Sequence, residues 1–315
     1  MAKEAAIKDI LNGIAYLIGL FVVSSYMPII GILCLLLVPL PAIFFRIKIG
    51  RKNVISILGV AIITTFLIFE GHYLNVFVFS ALVSLGFLLG EFYEKEYSIE
   101  KTVVYSVGSV ALGIFFCFIL YSNVVNVKVT KLISDYMGKN FEVTLALYEK
   151  MDMPQETIHE IKTSLETIKY KFVRILPGII LAFIIFTSWI NILLSRTLLK
   201  KNNLLFPNFG QLNRWMAPEQ LIWGIIICGG LLLLPNEALD FVCLNGIIIL
   251  STIYFFQGIA IVSFYFEKKE FPAPLKALLY CLILLQQILL LVVIGLGIFD
   301  IWFDFRKLNS KEPSV

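Results

Sequence analysis

Long apolar runs separated by short polar breaks set the pattern of this chain. Residues 10–25 and 27–45 form the first pair, divided at Pro28, where proline removes a donor and favours a turn or a helix start. Residues 54–69, 74–90 and 102–120 follow, and later 175–194, 242–266 and 277–299. None alternates with period 2. Each unsatisfied backbone group in hydrocarbon costs several kcal/mol, so runs of about 16–25 apolar residues read as transmembrane α-helices. Residues 221–234 are ambiguous, with about 14 apolar positions where a span usually needs about 20. The pattern predicts an all-α, polytopic transmembrane helical bundle of about eight to nine membrane helices.

One stretch departs from this pattern. Residues 123–171 carry seven Lys against seven Asp and Glu, and Ile158, Ile161, Leu165 and Ile168 recur at spacings of 3, 4 and 3 behind Pro154. That is an amphipathic helix. The chain therefore divides into residues 1–122 with five membrane helices, an extramembrane helical insert at 123–172, and residues 173–315 with the remaining membrane helices and an interfacial tail. Small residues mark candidate packing faces at Gly86 and Gly90 and at Ser106, Ser109 and Gly113.

Composition agrees with a membrane protein. Hydrophobic residues make up 59%, charged residues 15%, and the mean hydropathy is +0.89, which lies outside the range of soluble domains. The net charge of +4 matters through its placement. Arg46, Lys48, Arg51 and Lys52 form one positive loop, and Arg196, Lys200, Lys201 and Arg214 a second on the same side. The positive-inside rule then predicts a cell (cytoplasmic) membrane protein with a cytoplasmic N-terminus. The first apolar run leads into another without a cleavage site and reads as a membrane helix, not a signal peptide. The charge gives no support for nucleic-acid binding. The cysteines Cys34, Cys117, Cys228, Cys243 and Cys281 lack C-x-x-C spacing and read mostly as small packing residues.

Candidate chemistry is sparse. His72 and His159 are the two histidines, and there is no H-E-x-x-H, Walker A or dinucleotide fingerprint. Gly295-x-Gly297-x-x-Asp300 has the wrong spacing for an intramembrane aspartyl protease, and no second Asp lies in an apolar run. The sequence thus points away from an enzyme and implies no metal or cofactor. Asn245, Gln257, Gln286 and Gln287 lie inside the last two spans, where lipid cannot satisfy an amide. They serve interhelical hydrogen bonding or line a ligand site. Glu70 and Glu91, at span ends, read as solvated interfacial carboxylates.

The end of the chain is its most individual part. On a continuing helix, Asp300, Asp304 and Lys307 share one face, while Trp302 and Arg306 lie at i, i+4 on another, close enough for a cation–π contact. The stretch is either an aromatic and charged interface anchor or a contact, through Asp300 and Arg306, with a partner or another part of the bundle.

Three pieces, residues 213–234, the Phe-Gln-Gly at 256–258, and GIFDIWFDFRK at 297–307, together resemble the bacterial YybS-like family of polytopic membrane proteins, a family defined by a domain of unknown function. The N-terminal half of that family is in turn similar to the six-helix S components of energy-coupling-factor transporters. In that likeness, Ala15-x-x-x-Gly19 looks like the small-residue motif with which those components meet their transporter scaffold. Residues 123–171 and the helices after residue 194 depart from it. Two functions stay open: a non-enzymatic small-molecule binding or transport component, and a structural or regulatory scaffold that docks protein partners or a second copy of itself in the lipid bilayer.

Overall fold

The structure is a computed structural model describing residues 2–69, 73–127, 131, 133–138, 141 and 155–308, with the side chains of residues 2–6, 28, 29 and 155–160 outside that description. Glu70, His72, Pro154 and the side chains of Ile158 and His159 therefore lie outside the described residues. The main helices are α1 (Ala2–Tyr26), α2 (Pro28–Leu37), α3 (Pro39–Ile49), α4 (Arg51–Ile68), α5 (Tyr73–Glu94), α6 (Ile99–Val125), α7 (Gln155–Lys201), α8 (Leu221–Leu231), α9 (Glu237–Lys268), α10 (Ala273–Leu285) and α11 (Gln287–Phe303), with a 3-10 turn at Leu212–Arg214. No strand occurs among the described residues.

The all-α membrane bundle read from the apolar runs is what forms. Among the described residues, seven helical stretches are long and apolar enough to cross a membrane, and α10 with α11 would make an eighth if counted as one span, although they meet at 100°. Residues 277–299, read as one final span, are thus broken at Gln286. α8 has 11 residues, about 16 Å, so that its helical part alone is short of the roughly 30 Å hydrocarbon core.

The residues group into two compact units. The first holds Met1–Ala111, Phe183–Glu219 and the described part of Thr252–Val315; the second holds Leu112–Ala182 and Gln220–Ser251. In the first unit α3 lies against α5, and the small pair on α5 makes this approach possible. A Cβ on Gly86 would stand 2.3 Å from the Pro39 carbonyl oxygen, and one on Gly90 would stand 2.7 Å from Arg46 Cγ. Leu17, Phe21, Ile57, Phe79, Leu85 and Leu89 are almost or wholly inaccessible around this contact. In lipid such packing works through dispersion, because the tails outside are as apolar as the core. The other expected packing face holds only in part: Ser106 is buried, but Ser109 and Gly113 are exposed.

Charge is spent inside this unit as well. Arg46, 2% exposed, donates Nη1 and Nη2 to the Glu94 carboxylate at 2.8 and 2.7 Å, and Nε and Nη2 to Glu91 Oε2 at 3.2 and 2.8 Å. Lys48 pairs with Asp9 at 2.6 Å and Arg51 with Glu91 at 3.6 Å. Glu91 is thus a paired carboxylate at the base of α3 and α5, not the solvated one expected. A guanidinium forced under two helices needs both acids, since burial without them would cost several kcal/mol.

In the second unit, α7 carries Pro177 within a continuous 47-residue helix. The expected boundary at residue 172 falls inside this helix, so the amphipathic stretch and the following span are one element. Of its apolar stripe, Ile161 and Leu165 are half-buried and Ile168 is exposed. Opposite Pro177, Asn245 of α9 inserts into the backbone ladder. Its Oδ1 accepts from the Gly178 amide, and its Nδ2 donates to the Arg174 carbonyl at 2.8 Å and the Phe241 carbonyl at 2.6 Å. Arg174 O and Gly178 N are an i, i+4 pair next to the bond that Pro177 cannot make, and Asn245 meets both. Only glycine fits at residue 178, because a Cβ there would meet Asn245 Oδ1 at 2.7 Å. Asn245→Leu should destabilise the protein by about 1–3 kcal/mol, seen as a lower Tm in detergent. The loss should shrink in a Pro177→Ala background, where the ladder can close by itself.

Candidate functional site

Of the amides that lie in the last apolar runs, Gln257 converges with Asp300 and Arg306 in the first unit. α11 ends because Asp304 adopts the left-handed conformation, with φ 39° and ψ 58°, and the chain turns back on itself. Phe305 N then donates to Asp300 Oδ1 at 3.0 Å, and Arg306 Nη2 donates to Asp300 Oδ2 at 2.6 Å. The two side chains are 1% and 0% exposed. Arg306 Nη1 donates to the carbonyls of Asn213 and Trp215, both at 3.0 Å. Gln257, wholly buried in α9, joins the two sides: its Nε2 donates to Asp300 Oδ2 at 3.2 Å, and its Oε1 accepts from the Ala217 amide at 3.1 Å. The tail, the 213–217 segment and α9 are thereby latched by one charged centre. An aspartate and an arginine enclosed this fully are retained because each neutralises the other and backbone groups and Gln257 meet most of what remains, although Arg306 Nε is buried without a hydrogen-bond partner.

Beneath the latch, α9 and α11 touch backbone to backbone. A Cβ on Gly258 would lie 2.0 Å from Val293 O, and one on Gly297 would lie 2.0 Å from Tyr254 O. Further bonds tie the periphery: Tyr265 Oη donates to Phe305 O at 2.7 Å, the Asn213 amide donates to Glu267, and Trp215 Nε1 donates to Glu100 Oε1 at 2.8 Å.

Beside the latch lies a cavity of about 370 Å³. Six aromatic rings dominate its walls, those of Phe186, Trp189, Trp215, Phe255, Phe256 and Tyr280, and none of its lining side chains is charged. Trp189 stacks on Phe256 at 5.2 Å and meets Trp215 edge-on at 4.6 Å. Trp215 belongs to both structures, since its carbonyl is held by Arg306 while its ring lines the cavity.

The other sequence candidates fall elsewhere. Trp302 is exposed, with its ring near Phe299 at 6.1 Å. The expected Trp302–Arg306 stacking is corrected, because the helix ends at Phe303 and Arg306 no longer follows at i, i+4. Asp304 shapes the turn by accepting from the Leu308 amide at 2.9 Å. Gln286 and Gln287 are exposed at the bend between α10 and α11 and do not line this cavity. Asn245 is occupied in the second unit by α7. Ala15 and Gly19 are exposed on α1, and nothing lies within 4 Å of a Cβ on Gly19. Among the described residues no cluster of His, Cys, Asp and Glu could hold a metal ion.

Sequence reasoning missed two groups. Asn191 Nδ2, wholly buried in α7, donates to Leu36 O at 2.7 Å, beside the break between α2 and α3. Tyr93 and Ser195 share a buried hydrogen bond of 2.9 Å. An asparagine within an apolar run is the same signal that singled out Asn245 and would have found Asn191. Nothing in the sequence pairs Tyr93 with Ser195.

Residues from each of the three pieces that carried the family resemblance, Asn213 to Ala217, Gln257, and Asp300 with Arg306, thus meet in one centre. No solved structure matches the chain. It is similar to the uncharacterised protein YybS of Bacillus subtilis (strain 168), with 23% identity over 304 residues, covering 93% of this chain and 96% of that protein. A family model described as "Predicted membrane protein (DUF2232)" matches residues 15–301, and the chain belongs to that family of membrane proteins.

Proposed function

We propose that the protein is a non-enzymatic membrane component that binds a small, neutral, largely apolar molecule in the aromatic-walled cavity. The cavity carries this reading. Its volume of about 370 Å³ falls within the range of about 300–1,000 Å³ typical of ligand sites. An uncharged lining favours a neutral ligand, because a charge there would lose its hydration without gaining a partner. The latch gives the wall its rigidity by fixing the backbone of residues 213–217 from behind, so the ligand meets a preformed surface. Native mass spectrometry of the detergent-purified protein should show a bound small molecule. Ser263→Phe, which projects a ring into the cavity from a half-buried lining position, should lower its occupancy at least tenfold while Tm stays within about 2 °C of the parent. A native spectrum holding only detergent would overturn the reading.

The second reading, docking of protein partners, is favoured by one observation. The Ala15 and Gly19 face of α1 is exposed, and small residues let a second helix approach closely. The resemblance to S components read from the sequence would join the two readings, because such components bind a small molecule and meet a scaffold through a small-residue motif.

A further inference from the structure

We propose that α10 and α11 form a re-entrant hairpin, entering the membrane and leaving on the side from which they came. Both ends of the pair lie at the C-terminal end of α9. α10 begins at Ala273, shortly after α9 stops at Lys268, and the residue that follows the turn after α11, Phe305, accepts a hydrogen bond from Tyr265 in the last turn of α9. The loop after α7 is at the same end: Asn213 bonds Glu267, and Arg306 bonds the carbonyls of Asn213 and Trp215. At 13 and 17 residues, the limbs reach about 20 and 26 Å, each short of the roughly 30 Å hydrocarbon core. The 100° bend prevents their lengths from adding. At the bend Gln286 is extended, with φ −98° and ψ 110°, its amide donating to Leu282 O at 2.9 Å and its carbonyl accepting from Leu290 N at 3.0 Å. The flanking helices thus absorb part of the backbone that a break inside lipid would leave bare.

Parity then assigns the short helix. The loop before α8 and the end of α9 share a side, and α9 crosses once, so residues 221–236 must also cross. Their 11-residue helix lies antiparallel along α9, with Gly224 against Leu250 and Cys228 against Gly246. Counted over the described helices, eight crossings bring the chain back to its starting side. On this count Arg46, Lys48, Arg51, Lys52, Lys200, Lys201, Lys268, Lys269, Arg306 and Lys307 all lie on one side, as the positive-inside rule demands. A spanning pair would strand the last two on the other.

The test uses a variant in which all five cysteines are replaced, carrying one new cysteine at a time: Asn203→Cys, Lys269→Cys, Lys307→Cys or Pro235→Cys, all exposed positions. Each is treated with an impermeant maleimide in intact and in permeabilised cells. Asn203→Cys, Lys269→Cys and Lys307→Cys should label alike, and Pro235→Cys oppositely. Lys307→Cys labelling with Pro235→Cys would make the pair a span and overturn the hairpin. Pro235→Cys labelling with Asn203→Cys would overturn the crossing at 221–236. Lys268→Cys and Leu308→Cys replace their neighbours if a variant fails to accumulate. The inference is independent of whether the cavity holds a ligand.

Discussion

Arg306→Met should lower stability by about 3–5 kcal/mol, the cost of leaving Asp300 as a buried and uncompensated charge, and a depressed Tm in detergent would report it. Asp300→Asn should fall in the same range, because Arg306 then keeps its two carbonyls but loses its counter-charge. The double variant should recover much of the loss, since a buried ion pair replaced by neutral groups of similar volume is often close to neutral. Recovery should stop short of the parent: without Arg306, the carbonyls of Asn213 and Trp215 lose their donor, and an unmet buried acceptor costs about 1–3 kcal/mol. Arg306→Lys keeps the charge but lacks the planar fork that meets a carboxylate and two carbonyls together, so it should lie between parent and Arg306→Met. Equal losses in the single and double variants would show that the pair is not coupled.

Gly258→Ala and Gly297→Ala should be as damaging although each adds one methyl group. The new Cβ would fall 2.0 Å from a carbonyl oxygen of the facing helix, and backbone cannot rotate away as a side chain can. α9 and α11 must separate by more than an ångström, so the loss should reach or exceed the upper part of the roughly 1–3 kcal/mol usual for overpacking. Because both substitutions open the same gap, the double variant should cost clearly less than the sum of the singles. Gly295→Ala is the control, since nothing lies within 4 Å of its Cβ; its Tm should stay close to the parent's.

These contacts indicate which features the sequence could disclose. Apolar runs locate most of the membrane helices because length and hydropathy are properties of the run alone. Gln257, Asp300 and Arg306 are legible as polar groups that lipid will not tolerate, yet Gln286 and Gln287 carry the same signal and are exposed. The amide type does not say which way a helix is turned, and no Pro or Gly near Gln286 announces the bend. The stacking of Arg306 on Trp302 fails because Asp304, without a glycine's freedom, still takes the left-handed turn, held by bonds that depend on the tertiary contact. Asn245 was open to a fuller reading, since Pro177 signals that a helix nearby can take a donor from outside.

The latch also has a consequence for synthesis. Arg306 lies 93 residues after Asn213 and 91 after Trp215, and the ribosome makes it after every other member of the centre. While the later helices are being inserted, Asp300 has no cation and the carbonyls of Asn213 and Trp215 lack the donor that ties them to the tail. A chain stopped before Arg306 would therefore carry an exposed acid in its last apolar helix, a mark by which membrane quality control can tell an unfinished molecule from a complete one.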